Sequence, residues 1–278
     1  MRRVKKIVHC QNKWLGNGIV VAVLDTGAES HPELKGHIIQ FRDFVNGRYD
    51  LYDDNGHGTH VCGVISGNQI GIAPESRLIV LKVLDESGNG SIESSMRAFR
   101  WILENQEKYN IRVVNISMGM KAHTNEQGEK YILGAVDLLW SMGLVVVAAA
   151  GNLGPAPGSI TIPGVSRKII TVGSSDHKFS GRGSLEKQMI KPDLVAPGNH
   201  IVSCNHKYRN EKAGMYVEKS GTSMSTPIVS GAVADLLSKY PNMTNAEVKK
   251  RLKESCTDLG MPSVRQGSGL LNVRKLLQ

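Results

Sequence analysis

The chain has 278 residues, 40% hydrophobic and 21% charged, which allows a sizeable core and excludes a disordered or fibrous protein. The formal net charge of +9 raises nucleic acid or a membrane surface as partners, but Lys and Arg are scattered. Only Met1-Arg2-Arg3-Val4-Lys5-Lys6 and Lys249-Lys250-Arg251 cluster, without zinc-finger spacing or aromatic interleaving, so the basic surface is read as solvated and neither partner is expected.

Residues 1–14 read as an N-terminal extension with no room for a folding propeptide, and Ile7-Val8-His9-Cys10-Gln11-Asn12-Lys13 breaks any signal-peptide pattern. The first apolar run is Ile19-Val20-Val21-Ala22-Val23-Leu24. It is followed by Leu78-Ile79-Val80-Leu81-Lys82-Val83, Val113-Val114-Asn115-Ile116-Ser117, Leu144-Val145-Val146-Val147-Ala148-Ala149-Ala150 and Ile169-Ile170-Thr171-Val172. None alternates with polar residues, as strands buried on both faces of a parallel sheet require. The stretches 91–109 and 131–142 are amphipathic and helix-length, and Thr244-Asn245-Ala246-Glu247 is a capping box for a helix running to about residue 256. The alternation predicts an α/β fold: a mostly parallel central sheet with helices on both faces, and one domain over 1–278. Many of the 30 glycines fall where apolar runs end, which predicts a site built from loops.

No apolar stretch approaches the ~20 residues of a membrane span. Cys10, Cys62, Cys204 and Cys256 are too sparse for a disulfide framework, so reduced thiols and a cytoplasmic location are expected.

Three segments carry candidate chemistry. Asp25 ends the first apolar run in Val23-Leu24-Asp25-Thr26-Gly27, His57 stands in Asn55-Gly56-His57-Gly58-Thr59-His60, and Ser223 lies in Ser220-Gly221-Thr222-Ser223-Met224-Ser225-Thr226-Pro227 before an apolar helical run. A serine hydroxyl is a weak nucleophile that must pass its proton to an imidazole. The imidazole needs a carboxylate on its other nitrogen to hold the tautomer and stabilise the imidazolium. A tetrahedral oxyanion needs preorganised donors: Asn152, in Ala149-Ala150-Gly151-Asn152, offers an amide, and the Ser223 N–H at a helix start offers a second.

These segments resemble those of the subtilisin (subtilase) family. The likeness extends from Asp25 onward through Ala73-Pro74, Lys82-Val83-Leu84, Asn115-Ile116-Ser117-Met118-Gly119, Lys191-Pro192-Asp193-Leu194-Val195-Ala196-Pro197-Gly198 and Gly267-Ser268-Gly269-Leu270-Leu271-Asn272-Val273. It implies a single-domain subtilisin-like fold and a serine endopeptidase working through an acyl-enzyme on Ser223. His57 would be general base and acid, Asp25 its orienting partner, and Asn152 with Ser223 the oxyanion hole. It also implies that Gly88, Asn89, Gly90, Ser117, Met118 and Gly119 flank an extended peptide substrate, that Ala150 and Gly151 also bind it, and that Met118 and Thr161 lie near the side-chain pocket. The rival reading is a catalytically silent relative that binds peptides as a regulator, although no triad member is missing.

His60 reads as an internally hydrogen-bonded residue and Cys62 as a structural thiol, since Val61 stands where thiol-sensitive relatives carry cysteine. His9, His31, His37, His123, His177, His200 and His206 show no metal-ligand spacing. No cofactor is required on this reading. Calcium is allowed, but the loop between Val64 and Ala73 is shorter than the one that wraps a tight calcium site in many secreted relatives. Thr26 and Asn55 stand where relatives that cut after basic residues carry acids, which suggests apolar or medium-sized residues before the cut. Oligomeric state is left open.

Overall fold

The computed structural model describes residues 1–10, 14–121, 126–176 and 178–278. His123 and His177 lie outside these residues. Seven strands, β1 Val20–Asp25, β2 Ile38–Asp43, β3 Arg77–Lys82, β4 Ile111–Ile116, β5 Val145–Ala149, β6 Ile170–Ser174 and β7 Leu194–Ala196, form one sheet in the order β2-β3-β1-β4-β5-β6-β7. Every neighbouring pair is parallel. A separate antiparallel hairpin joins β8 Ile201–Cys204 to β9 Tyr216–Lys219. The helices are α1 Arg2–Ile7, α2 His57–Ser66, α3 Ile92–Tyr109, α4 Glu126–Ser141, α5 Thr222–Lys239, α6 Asn245–Ser255, α7 Ser263–Gln266 and α8 Val273–Leu276.

The strands are apolar throughout because successive side chains enter different cores. In β1, Val21 and Val23 pack with α2 and α5 residues such as Val61, Ile65, Ile228 and Val229, whereas Val20, Ala22 and Leu24 pack with Ala98, Phe99 and Ile102 of α3 and Val136 of α4. The same division holds for Val80 against Leu81 in β3 and Val147 against Val146 in β5. Two cores separated by one sheet account for the expected helices on both faces.

Local signals set the helix ends. Ser91 caps α3 by accepting from the Ser94 N–H at 2.9 Å, and Asn110 closes it in the left-handed region at φ 50°. In α6 both halves of the Thr244/Glu247 capping box are formed, which satisfies two N–H groups that the helix start leaves open. α4 starts at Glu126, five residues ahead of the expected 131, because its first turn is polar and carries no apolar periodicity. β2 and β7 went unrecognised in the sequence for different reasons: β2 is an edge strand with polar residues on one face, and β7 is only three residues long.

Residues 1–10 are more than an extension. Val4 and Val8 are buried in the α2/α5 core, and the Val8 carbonyl accepts from the Val273 N–H at 2.8 Å. A short amphipathic helix of this kind gains its stability from docking its apolar side, since six residues are too few for an independent helix.

Candidate active site

Parallel strands carry their C-terminal ends to one edge of the sheet, and Asp25, the last residue of β1, is fully buried there. Its Oδ1 accepts from the Thr26 N–H at 2.8 Å and from His57 Nδ1 at 2.7 Å, while Oδ2 is buried without a partner among the described residues. His57 opens α2, and 24% of its side chain is exposed. Burial disfavours the imidazolium, but the adjacent Asp25 carboxylate outweighs it through charge and hydrogen bond, and the pKa of His57 is raised. With Nδ1 committed to Asp25, Nε2 is the ring nitrogen that faces chemistry.

Two buried charges fix this corner, and neither was singled out in the sequence. Asp53 accepts from Thr26 Oγ1 (2.9 Å), the N–H groups of Asn55, Gly56 and Thr59 (3.1, 2.8 and 2.8 Å) and Thr59 Oγ1 (2.6 Å). Desolvation alone would raise its pKa, but these bonds, with Thr59 foremost, bring it below the usual carboxylate value. The carboxylate thereby satisfies open N–H groups at the start of α2 and ties them to the turn after Asp25. Lys82, at the end of β3 and wholly buried, donates to the Thr26 carbonyl (2.8 Å), the Leu84 carbonyl (2.9 Å) and Asp54 Oδ1 (2.7 Å). An Asp two residues before Asn-Gly at a helix start was the available signal for the first. Nothing in the Lys82 run distinguishes a buried lysine from a strand-end surface one.

Ser223 lies in the first turn of α5, whose N-cap is Gly221 at φ 142°. A Cβ on Gly221 would meet Asn152 Nδ2 at a tight 3.0 Å, and the φ of this residue itself favours glycine. The Ser223 N–H belongs to the group that has no intrahelical acceptor. Asn152 is oriented by Thr222: its Oδ1 accepts from the Thr222 N–H at 3.0 Å and from Thr222 Oγ1 at 3.2 Å. Thr222 Oγ1 in turn accepts from the Gly151 N–H at 3.1 Å. With the amide oxygen used, its NH2 is the end presented as a donor. Pro227, lacking an N–H, cannot bond the Ser223 carbonyl as an ordinary helix residue would.

His57, Asn152 and Ser223 line one cleft of about 500 Å³ together with Thr26, Gly88, Ser117, Met118, Gly119, Gly151 and Thr161. No direct hydrogen bond joins the Ser223 hydroxyl to His57 among the described residues, and such contacts commonly tighten only once substrate is bound. An adjoining cavity of about 440 Å³ shares Gly88, Met118 and Gly119 and adds Asn89 and Gly90, walled by Leu84, Ile92, Phe99, Ile116, Ile132 and Ile162. Ala150 does not join the lining. It is fully buried, its N–H bonds the Val172 carbonyl and its carbonyl accepts from the Thr161 N–H, and Ala149 is the wall residue instead.

The subtilase family model (Peptidase_S8) matches residues 16–270. The chain belongs to the subtilase family of serine peptidases. It is 39% identical to "Serine protease AprX" of Bacillus subtilis over 90% of its length, spanning 63% of that relative, and 37% identical to "Subtilisin Savinase" of Lederbergia lenta, covering 92% of this chain and 90% of the relative. Among solved structures it superposes on "Sphericase" with a TM-score of 0.83 and 29% identity, each chain covered to 97%.

In this subtilase the segment 205–217 does not face the cleft but braces the β8–β9 hairpin against the loop after β1. Tyr208 Oη donates to the Ser30 carbonyl (2.6 Å), His31 Nε2 is 2.9 Å from the Met215 carbonyl, and Tyr216 Oη donates to Glu33 (2.7 Å). His60 behaves as expected: it is buried with Nε2 2.9 Å from the Ile201 carbonyl, and desolvation lowers its pKa to about 3. Cys62 is likewise fully buried, and burial raises its pKa well above that of a free thiol, so it cannot serve as a reactive thiolate. Among the described residues no cluster of three His, Cys, Asp or Glu could hold a metal, and no helix is long and apolar enough to cross a membrane.

Proposed function

We propose that this domain is a subtilisin-like endopeptidase in which Asp25, His57 and Ser223 are the catalytic triad and Asn152 and the Ser223 N–H form the oxyanion hole. The observation that carries the reading is the 2.7 Å bond from His57 Nδ1 to a fully buried Asp25, with Ser223 and an oxygen-anchored Asn152 amide on the same cleft. In the acylation step Ser223 Oγ attacks the peptide carbonyl and its proton passes to His57 Nε2. The charge on His57 is offset by Asp25, and the oxyanion accepts from Asn152 Nδ2 and the Ser223 N–H. His57 then protonates the departing amine; water, deprotonated by the same ring, attacks the acyl carbonyl, and as the bond to Ser223 Oγ breaks the ring returns that proton to Oγ and the peptide acid leaves. Titration with a fluorophosphonate tests the assignment: labelling should fall on Ser223 and vanish in Ser223→Ala. Peptide binding without labelling or turnover would leave only a silent relative.

The adjoining cavity, lined by Leu84, Phe99, Ile116, Met118 and Ile132, supports apolar side chains on the acyl side of the substrate, and among the described residues no carboxylate lines either space. A cleavage profile dominated by Arg or Lys immediately before the cut would overturn that preference.

The turn after α2 supports a domain that needs no calcium there. The Val64, Ile65 and Gly67 carbonyls already accept from Ile72, Ala73 and Gly71, whereas calcium needs six to eight free oxygens. A chelator should leave both activity and Tm unchanged. The free thiols of Cys62, Cys204 and Cys256 support a reducing, cytoplasmic compartment, and cell fractionation that recovers the protein elsewhere would refute this.

A further inference from the structure

The acyl-side spaces are walled by residues of the 84–92, 116–121 and 149–163 segments, and the β8–β9 hairpin contributes nothing to either. The hairpin borders the other side of the reacting groups, because β9 ends at Lys219 and the chain then passes through Ser220 and Gly221 into the turn that holds Ser223. Residues paired across an antiparallel hairpin share a face. Lys219 pairs with Ile201 and Val217 with Ser203, while Glu218 pairs with Val202. The first set faces α2: Ser203 Oγ donates to the His60 carbonyl at 2.8 Å, and the Ile201 carbonyl lies 2.9 Å from His60 Nε2. Val202 and Glu218 are exposed on the other face, where Glu218 bonds His200.

Lys219 is therefore held, half-buried, toward the first turn of α2. Burial is the largest influence against protonation of His57, His60 and His206, and the Lys219 charge adds to it at all three. The His206 ring packs where a Cβ on Gly56 would sit, which closes the space beside it. The acids of this region are already engaged: Asp25 by His57 and Thr26, Asp53 by its five bonds, and Glu29 by Arg209 at 3.3 Å. Beyond its place in the hairpin ladder, the Lys219 ammonium forms no hydrogen bond or ion pair among the described residues. An unpaired ammonium beside a ring that must become cationic during catalysis is a cost, unless the substrate brings the counter-charge.

We propose that Lys219 is a specificity-determining residue whose ammonium pairs with a carboxylate on the first or second substrate residue beyond the scissile bond. The assignment rests on the endopeptidase reading above. It is tested with fluorogenic peptides identical up to the cut and carrying Glu, Gln or Lys at those two positions. Wild type should prefer Glu over Gln by about fivefold in kcat/KM at low ionic strength, with the preference shrinking as salt is added. The ratio is internal to each variant, so any general loss of activity divides out. Lys219→Gln should bring it to about one, Lys219→Glu should turn the preference toward Lys, and Lys219→Arg should retain the wild-type order. An equal ratio in wild type and Lys219→Gln, or no preference in wild type, overturns the assignment. If wild type labels at Ser223 and cleaves yet shows no preference, only Lys219 is wrong. If it neither labels nor cleaves, the endopeptidase reading falls and takes the Lys219 assignment with it.

Discussion

His57 is subject to two opposed effects, and the sign of their sum has kinetic consequences. Burial favours the neutral ring and Asp25 favours the imidazolium, with the carboxylate prevailing over the ordinary value of 6.5. The base must be neutral to accept the Ser223 proton, so kcat/KM should fall as pH drops through a midpoint above that value. Asp25→Asn should lower kcat by roughly 10⁴ and move the midpoint down. A pH profile of the variant checks both, and an unmoved midpoint would mean the carboxylate does not act on the ring. Thr222 makes a separate prediction. Without its hydroxyl, Asn152 Oδ1 keeps one of its two donors and Gly151 loses an acceptor. Thr222→Val should lower kcat about tenfold while KM changes little, since a mobile amide affects the oxyanion more than the bound peptide. Asp25 and Asn152 were legible because they follow apolar runs, Ser223 because it precedes one, and His57 because its segment falls between them in the order of the family pattern. Thr222, Asp53 and Lys82 were not, because a polar residue serving its neighbours reads like any other loop or surface residue until the neighbours are known.

At the level of elements, α2 is held in register by a single carboxylate. Asp53 closes a turn, caps the helix that presents His57 and anchors Thr26, so its removal strands several donors at once. Asp53→Ala should cost about 3 kcal/mol at neutral pH. The folded-state pKa is depressed, so this stability is present above the unfolded value and lost as pH falls through the folded one. Urea titrations should therefore show the gap between wild type and variant narrowing in acid. The five central strands were visible because burial on both faces removes polar alternation, a signal that survives without knowledge of partners. The edge strand β2 and the hairpin lacked it, having one face in solvent. The hairpin's position over the catalytic helix could not be read from its sequence at all, since it depends on bonds from residues about 140 to 185 positions away.

Across the whole molecule, the deepest anomaly is Asp235, on α5 in the middle of the core. It is fully buried, both carboxylate oxygens lack partners among the described residues, and desolvation raises its pKa to about 8. An acid whose folded pKa exceeds its unfolded pKa favours the native state below the unfolded value and forfeits that advantage as pH rises through the folded one. Asp235→Leu should leave Tm nearly unchanged at pH 4 and raise it by roughly 5 °C at pH 8, measurable by calorimetry at the two pH values. An equal gain at both would assign the effect to packing rather than to ionisation.

The same helix has another consequence. α5 packs against β1, β4, β5, β6, β7 and α2 and carries Ser223, the proposed nucleophile, in its first turn. For one copy of the enzyme to digest another, a target strand must first peel away and thread into a foreign cleft. The stretch around Ser223 is among the last that can do so, whereas most of the 205–217 segment is exposed and lies outside both cores. Autolysis should therefore begin at the periphery, and a nicked population should keep its cutting centre intact long after its outline has frayed.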